Sequence, residues 1–197
     1  MTFRLGLTGS IGMGKSTTAA MFADEGCEVW DADAAVHHAY AAGGAAVDPI
    51  GALFPEALVG GEVSRDALKR RIAEDPDALA RVEAIVHPIV AEDRRRAARQ
   101  TQADIIVFDI PLLFETGADE MMDATVCVTV DEETQRRRVL SRPGMTDAQF
   151  EAILSKQMPS KEKEARADHV VVTDTPAHAR AQVRAIVAEI REKLADA

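Results

Sequence analysis

The run Gly9-Ser10-Ile11-Gly12-Met13-Gly14-Lys15-Ser16 satisfies the pattern G-x-x-x-x-G-K-[ST] at every fixed position. A short apolar stretch, Phe3-Arg4-Leu5-Gly6-Leu7, precedes it, and the helix formers Thr17-Thr18-Ala19-Ala20-Met21-Phe22 follow, so the glycines fall at a strand-to-helix turn. Glycine lets the backbone curl there until several N–H groups converge on phosphate oxygens, and the positive helix end reinforces them. The groups expected around a nucleotide phosphate are therefore Gly12, Met13, Gly14, Lys15, Ser16 and Thr17. Lys15 reaches the β- and γ-phosphates, and the Ser16 hydroxyl is placed to ligate Mg²⁺. A turn that binds nothing would leave the Lys15-Ser16 pair unexplained. Such a loop alone does not choose among a GTPase switch, an ATPase motor and a small-molecule kinase. No Asn-Lys-x-Asp guanine signature is present, which weighs against the first.

Five short apolar runs bounded by Gly, Asp or Pro read as buried parallel strands: Arg4 to Leu7, Glu28 to Trp30, Ile105 to Phe108, Thr125 to Val130 and Val170 to Val172. Alanine-rich stretches of helical spacing lie between them. The clearest places Val183, Ile186, Val187, Ile190 and Leu194 on one stripe. Strand and helix alternate, so the fold class is α/β. Between Asp31 and Asp104 no strand is evident, and helix starts are expected at Ser64, after Asp75-Pro76, and at Pro88 following His87. That interval reads as a helical insertion.

A chain of 197 residues with 47% hydrophobic and 28% charged residues can bury one domain's core, which excludes a disordered chain. Its formal charge of -10 argues against coating nucleic acid or an anionic membrane, although a local basic site for phosphate remains open to it. Cys27 and Cys127 sit in apolar stretches, as buried thiols of a reducing compartment do. With no signal-like N-terminus and no run approaching the ~20 apolar residues of a membrane span, the expected location is cytoplasmic.

Ligands of parallel α/β sheets sit beyond the carboxyl ends of the strands, where this chain places acids. Trp30-Asp31-Ala32-Asp33 ends the second strand and Phe108-Asp109-Ile110-Pro111 the third. Asp109 has the Walker B form and would hold Mg²⁺ directly or through water. Asp31 and Asp33 alternate across the strand end, one to serve an acceptor hydroxyl as general base and the other to assist metal or substrate. N-capping or surface-turn roles are the alternative for each. After the fourth strand, Gln135, Arg138 and Arg142 share a helix face that Pro143-Gly144 terminates. Arginines ahead of a flexible turn suit a lid closing over transferring phosphate, and a solvated charged helix is the alternative. A second basic cluster, Arg65, Lys69, Arg70 and Arg71, lies in the insertion, where one or both of Arg65 and Lys69 could meet an anionic acceptor, a solvated face being the better reading for Lys69, Arg70 and Arg71.

These segments together resemble the dephospho-CoA kinase family nearly end to end. Gly9 to Thr17 is similar to its Leu-Thr-Gly-Gly-Ile-Gly-Ser-Gly-Lys-Ser-Thr opening, with Ser10 and Met13 as mild departures, and Asp31-Ala32-Asp33 to its Asp-Ala-Asp segment. Glu62 to Leu68 resembles an insertion motif containing Arg-x-x-Leu, and Leu79 to Pro88 a helix leading to His-Pro. Asp109-Ile110-Pro111-Leu112-Leu113-Phe114-Glu115 resembles Asp-Val-Pro-Leu-Leu-Phe-Glu. Gln135, Arg138 and Arg142 match the lid helix and Gln157 a glutamine beyond it, whereas Val172-Thr173-Asp174 departs from the family's Asp-Asn after the last strand.

The resemblance implies a P-loop NTPase fold of kinase type: a five-stranded parallel sheet flanked by helices, with core 1–35 and 103–197, a helical acceptor-binding insertion over about 36–102 and a lid over about 136–160. It implies ATP-dependent phosphorylation of the ribose 3′-hydroxyl of dephospho-CoA with Mg²⁺, by a monomer or weak homo-oligomer that uses neither nucleic acid nor membrane. By the same resemblance Asp33 is base or orienter, Arg138 and Arg142 act on ATP, Ser16 and Asp109 serve the metal, and Thr8, Asp31, Arg65, His87 and Leu112 line the acceptor. A nucleoside monophosphate kinase, another small-molecule P-loop kinase and a nucleotide-dependent switch are the competing functions.

Overall fold

The structure, a computed structural model, describes residues 2–196. Its elements begin with β1 (Phe3–Thr8), α1 (Lys15–Asp24), β2 (Glu28–Asp31), α2 (Ala32–Tyr40) and α3 (Val47–Leu53). Then follow β3 (Leu58–Val59), β4 (Glu62–Val63), α4 (Arg65–Glu74), α5 (Ala78–Gln100), β5 (Ile105–Asp109) and β6 (Ala124–Thr129). The last are α6 (Glu132–Leu140), α7 (Asp147–Leu154), α8 (Ser160–Arg166), β7 (His169–Val172) and α9 (Pro176–Ala195). The chain divides into two compact units, one up to Trp30 and from Thr101 onward, the other Asp31–Gln100.

The first unit is built on a five-stranded parallel sheet of order β2-β5-β1-β6-β7. β1 lies at its centre, with Leu5 opposite Val107 of β5 and Ala124 of β6, and Leu7 opposite Asp109 and Val126. Every residue of β5 is buried, so its uninterrupted Ile-Ile-Val-Phe run is what a strand covered on both faces requires. Leu5, Leu7, Val107, Val126 and Val171 form the core with Phe22 of α1 and with Val183, Ile186, Val187 and Ile190 of α9, where Leu194 also packs. Each such fully buried side chain contributes roughly 1.5–3 kcal/mol relative to exposure. Cys27 and Cys127 are buried free thiols, and desolvation pushes them up to about 11 and about 12.

The second unit gathers α2 to α5 around its own core of Tyr40, Ile50, Phe54, Leu68, Val82 and Val86. Arg81 lies 5.1 Å over the Phe54 ring and Arg71 5.9 Å from it, and both guanidiniums pair with Asp75. Three expectations for this stretch are corrected. It contains strands, since β3 and β4 form an antiparallel hairpin whose turn is Gly60-Gly61, both at positive φ (64° and 84°), a conformation that costs glycine nothing. Pro88 opens no helix but lies inside α5, which already runs from Ala78 on the buried Val82 and Val86. Asp31 and Asp33 do not alternate along a strand either. Asp31 ends β2 and caps α2 by accepting from the Ala34 N–H at 2.8 Å, which puts Asp33 in the first helical turn.

Candidate active site

The phosphate loop joins β1 to α1, and two of its glycines are required by their surroundings. Gly12 has φ 80°, and a Cβ there would lie 2.4 Å from Val139 Cγ2 and 3.2 Å from the Gln135 carbonyl. Gly14 has φ 94°, and a Cβ would meet the Thr173 hydroxyl at 3.1 Å. Gly14 is also the N-cap of α1, with no side chain capping the helix and no acid in its first turn. The amides of Lys15, Ser16 and Thr17 are thus left for an anion, with the helix dipole behind them. Met13 has a structural part as well: its buried sulfur accepts from the Val130 N–H at 3.2 Å, and its carbonyl accepts from Thr173 Oγ1 at 2.6 Å.

Lys15 forms an ion pair with Asp109, which is 2% exposed at the end of β5. A parallel sheet delivers the two there because β1 and β5 are neighbours and Leu7 lies opposite Asp109. Ser16 is exposed one residue away. Among the described residues no cluster of three or more His, Cys, Asp or Glu could hold a metal by itself. One hydroxyl and one carboxylate suit a Mg²⁺ that arrives on a nucleotide, an ion that takes one or two protein ligands beside phosphate oxygens.

Beside the loop lies a cavity of about 320 Å³ lined by Gly12, Gly14, Thr17, Arg138, Arg142, Thr173, Thr175 and Pro176, among others. Arg138 is fixed on its wall, donating to Thr173 Oγ1 at 3.0 Å and to the Thr173 carbonyl at 2.6 Å. Thr173 occupies the place where the sequence departs from the resembled family, and it ties the loop to the arginine. The shared helix face expected for Gln135, Arg138 and Arg142 is corrected: α6 ends at Leu140, Arg142 follows in a turn, and Gln135 is buried, donating to the Ile11 carbonyl at 2.8 Å. Spacing identified a face; packing against the phosphate loop decided that its first member points inward.

Of the residues expected at the acceptor, two belong to the first unit. Thr8 is buried and donates to the Pro111 carbonyl at 3.0 Å, so it braces the segment after β5, on which Leu112 is exposed. The others, Asp31, Asp33, Arg65 and His87, belong to the second unit and are all exposed. Arg65 begins α4 beside its Ser64 cap, 5.9 Å from the ring of Tyr40, and His87 lies within α5. Burial raises the Tyr40 phenol, with Arg65 acting against that shift.

One functional-looking group was missed from sequence. Lys163 of α8 is fully buried, with Nζ donating to the Pro111 carbonyl at 2.9 Å and pairing with Glu115 at 2.8 Å. Burial alone would raise the Glu115 carboxyl, but Lys163 and the Met158 N–H outweigh it and hold it below the usual range. Within Ser160-Lys161-Glu162-Lys163-Glu164 nothing marks that lysine from its neighbours.

A central parallel strand that feeds an uncapped helix through a glycine loop selects phosphate, and with the sheet order it makes the chain a P-loop kinase in fold. The family model for dephospho-CoA kinase matches residues 3–178. The chain belongs to the dephospho-CoA kinase family. It is 65% identical over 191 residues to the dephospho-CoA kinase of Ruegeria pomeroyi, covering 97% of each chain. The crystal structure of TT1252 from Thermus thermophilus superposes with a TM-score of 0.84 at 35% identity, covering 95% of this chain and 97% of that one. Dephospho-CoA kinase from Campylobacter jejuni, 21% identical over 98% of this chain and 99% of its own, shares the fold with a TM-score of 0.69.

Proposed function

We propose that the chain transfers the γ-phosphoryl group of ATP to the ribose 3′-hydroxyl of dephospho-CoA, giving CoA and ADP. The observation that carries this is the extent of the family match. Residues 3–178 include the whole second unit as well as the phosphate loop, whereas a kinase for an unrelated acceptor would need to share only the nucleotide half. We assign acceptor binding to the insertion, about 36–102, and the lid to about 136–160.

The loop amides and the α1 N-terminus bind the β- and γ-phosphates, and Lys15 exchanges its Asp109 partner for phosphate oxygens. Asp33 orients the acceptor and takes the proton from its 3′-oxygen as that oxygen bonds to phosphorus. The bond to the β,γ-bridging oxygen breaks in line with it, leaving ADP. Arg138 and Arg142 neutralise charge on the transferred group and exclude water. Thr8, Asp31, Arg65, His87 and Leu112 hold the acceptor. Ser16 and Asp109 would hold Mg²⁺, which would supply neutralisation of charge on the nucleotide phosphates. The site of action is the cytoplasm, in keeping with two buried free thiols, and no helix among the described residues is long and apolar enough to cross a membrane.

The test is ADP release across a panel of acceptors. Dephospho-CoA alone should stimulate it. Stimulation by a nucleoside monophosphate instead would assign a different acceptor, and slow hydrolysis indifferent to every acceptor would make the chain a nucleotide-dependent switch.

A further inference from the structure

Ile11, at the apex of the phosphate loop, has both of its backbone polar groups bonded to side chains distant in sequence. Its N–H donates to Gln157 Oε1 at 3.1 Å, and its carbonyl accepts from Gln135 Nε2 at 2.8 Å. The two glutamines thus use opposite ends of their amides on one residue. A third tie lies next to them, where Ser160 Oγ donates to Ser10 Oγ at 2.9 Å. None of the four side chains is among the groups assigned above to phosphate, so phosphate binding by itself does not call for these contacts.

The loop itself needs such support. It contains Gly9, Gly12 and Gly14, residues that lose the most conformational freedom on ordering, and two of them are held at positive φ. If the cradling form is only fractionally populated, nucleotide affinity falls by that fraction. Gln135 stands one turn before Arg138 on α6, and Gln157 lies between α7 and α8. The segment that carries the arginines is therefore anchored to the loop at both of its ends.

We propose that Gln135 and Gln157 are positioning residues that grip the Ile11 peptide groups from both sides and hold the phosphate loop in its nucleotide-binding form. The proposal rests on the nucleotide half of the function given above and is independent of the acceptor. An amide is needed at Gln135 because a donor must face a carbonyl, whereas at Gln157 any correctly placed acceptor oxygen serves.

That asymmetry supplies the test, read as ADP affinity by titration of the full chain. Gln157→Glu keeps an oxygen toward the Ile11 N–H, whereas Gln135→Glu sets an oxygen against the Ile11 carbonyl. Both add one negative charge beside the same residue, so the difference between them reports the hydrogen bond. Gln135→Glu should bind ADP about tenfold more weakly than Gln157→Glu, the size of one lost bond with an acceptor facing an acceptor. The KM for dephospho-CoA should stay unchanged. Equal weakening in the two variants, or wild-type affinity in Gln135→Glu, overturns the grip. Should Gln135→Glu fail to fold, Gln157→Met with hydrogen exchange read at the Ile11 amide takes its place. Faster exchange there with ADP affinity lowered about threefold or more is expected, and unchanged protection or unchanged affinity refutes the proposal. Failure of the wild-type chain to bind ADP at all would instead refute the nucleotide-dependent function on which the proposal rests.

Discussion

Replacing Lys163 by methionine tests the bridge between α8 and the segment after β5. The side chain is wholly buried, so the substitution removes an ammonium from the interior while keeping most of its volume. Two opposing effects must be weighed. Lost are two charge-assisted bonds, to the Pro111 carbonyl and the Glu115 carboxylate, of nominally about 1.5–3 kcal/mol each. Regained is the desolvation of the ammonium, which makes apolar replacement of whole buried pairs often neutral or stabilising. Here only one partner is replaced, and breaking a fully buried pair in that way costs about 3–5 kcal/mol. Neither orphan is complete, however: Pro111 retains the Thr8 hydroxyl, and Glu115 retains the Met158 N–H and some solvent. The net cost should therefore be about 2 kcal/mol, or roughly 4–8 °C in Tm for a chain of this size. Thermal and urea unfolding measure it. Adding Glu115→Gln to Lys163→Met removes the unpaired charge while leaving an acceptor for Met158, and should recover about 1 kcal/mol. A single variant as stable as wild type, or a double variant with no recovery, would refute the account of Lys163 as a stabilising bridge.

The same pair predicts an acid dependence. The Glu115 carboxyl is lower in the folded chain than its unfolded value of about 4.3. Its contribution is thus complete above that value and is lost as pH falls through the lower folded one. Urea midpoints should decline over that acidic window in wild type and less steeply in Lys163→Met; parallel curves would contradict the assignment. Lys15→Ala should lower the transfer rate by at least about 10²-fold through lost phosphate stabilisation, and near-normal turnover in a phosphate-transfer assay would remove Lys15 from the mechanism. Asp33→Asn should depress kcat well beyond any change in ATP affinity, and an equal loss in both would give that residue a metal or structural part.

The features legible in the sequence are those encoded over short spans. The phosphate loop declares itself because eight consecutive residues carry the turn, the anion site and the lysine together, and β5 because four apolar residues run unbroken into Asp109. The β3–β4 hairpin was readable in principle from Val59-Gly60-Gly61-Glu62-Val63, but strands of two residues are too short for alternation to register. Pro88 misled because a first-turn preference is only a preference, and Val82 and Val86 had already committed the helix to the second core. Gln135 and Lys163 were beyond local reading for a common reason. A polar residue on a helix says nothing of what covers it, and their covers, Ile11 and Pro111, lie 124 and 52 residues away.

Those separations bear on how the molecule comes into being. The strand that begins the phosphate loop takes its partners from β5 and β6, about a hundred residues later, and the loop is completed by Thr173, 160 residues beyond Met13. On a ribosome, the loop therefore emerges long before Gln135, Gln157 and Ser160 can hold it, and its last support, Thr173, arrives only after β7 has been made. A topology so dependent on distant pairings should fold slowly. Because nucleotide binds only the finished loop, free nucleotide in the cell should trap each chain as its final contacts close.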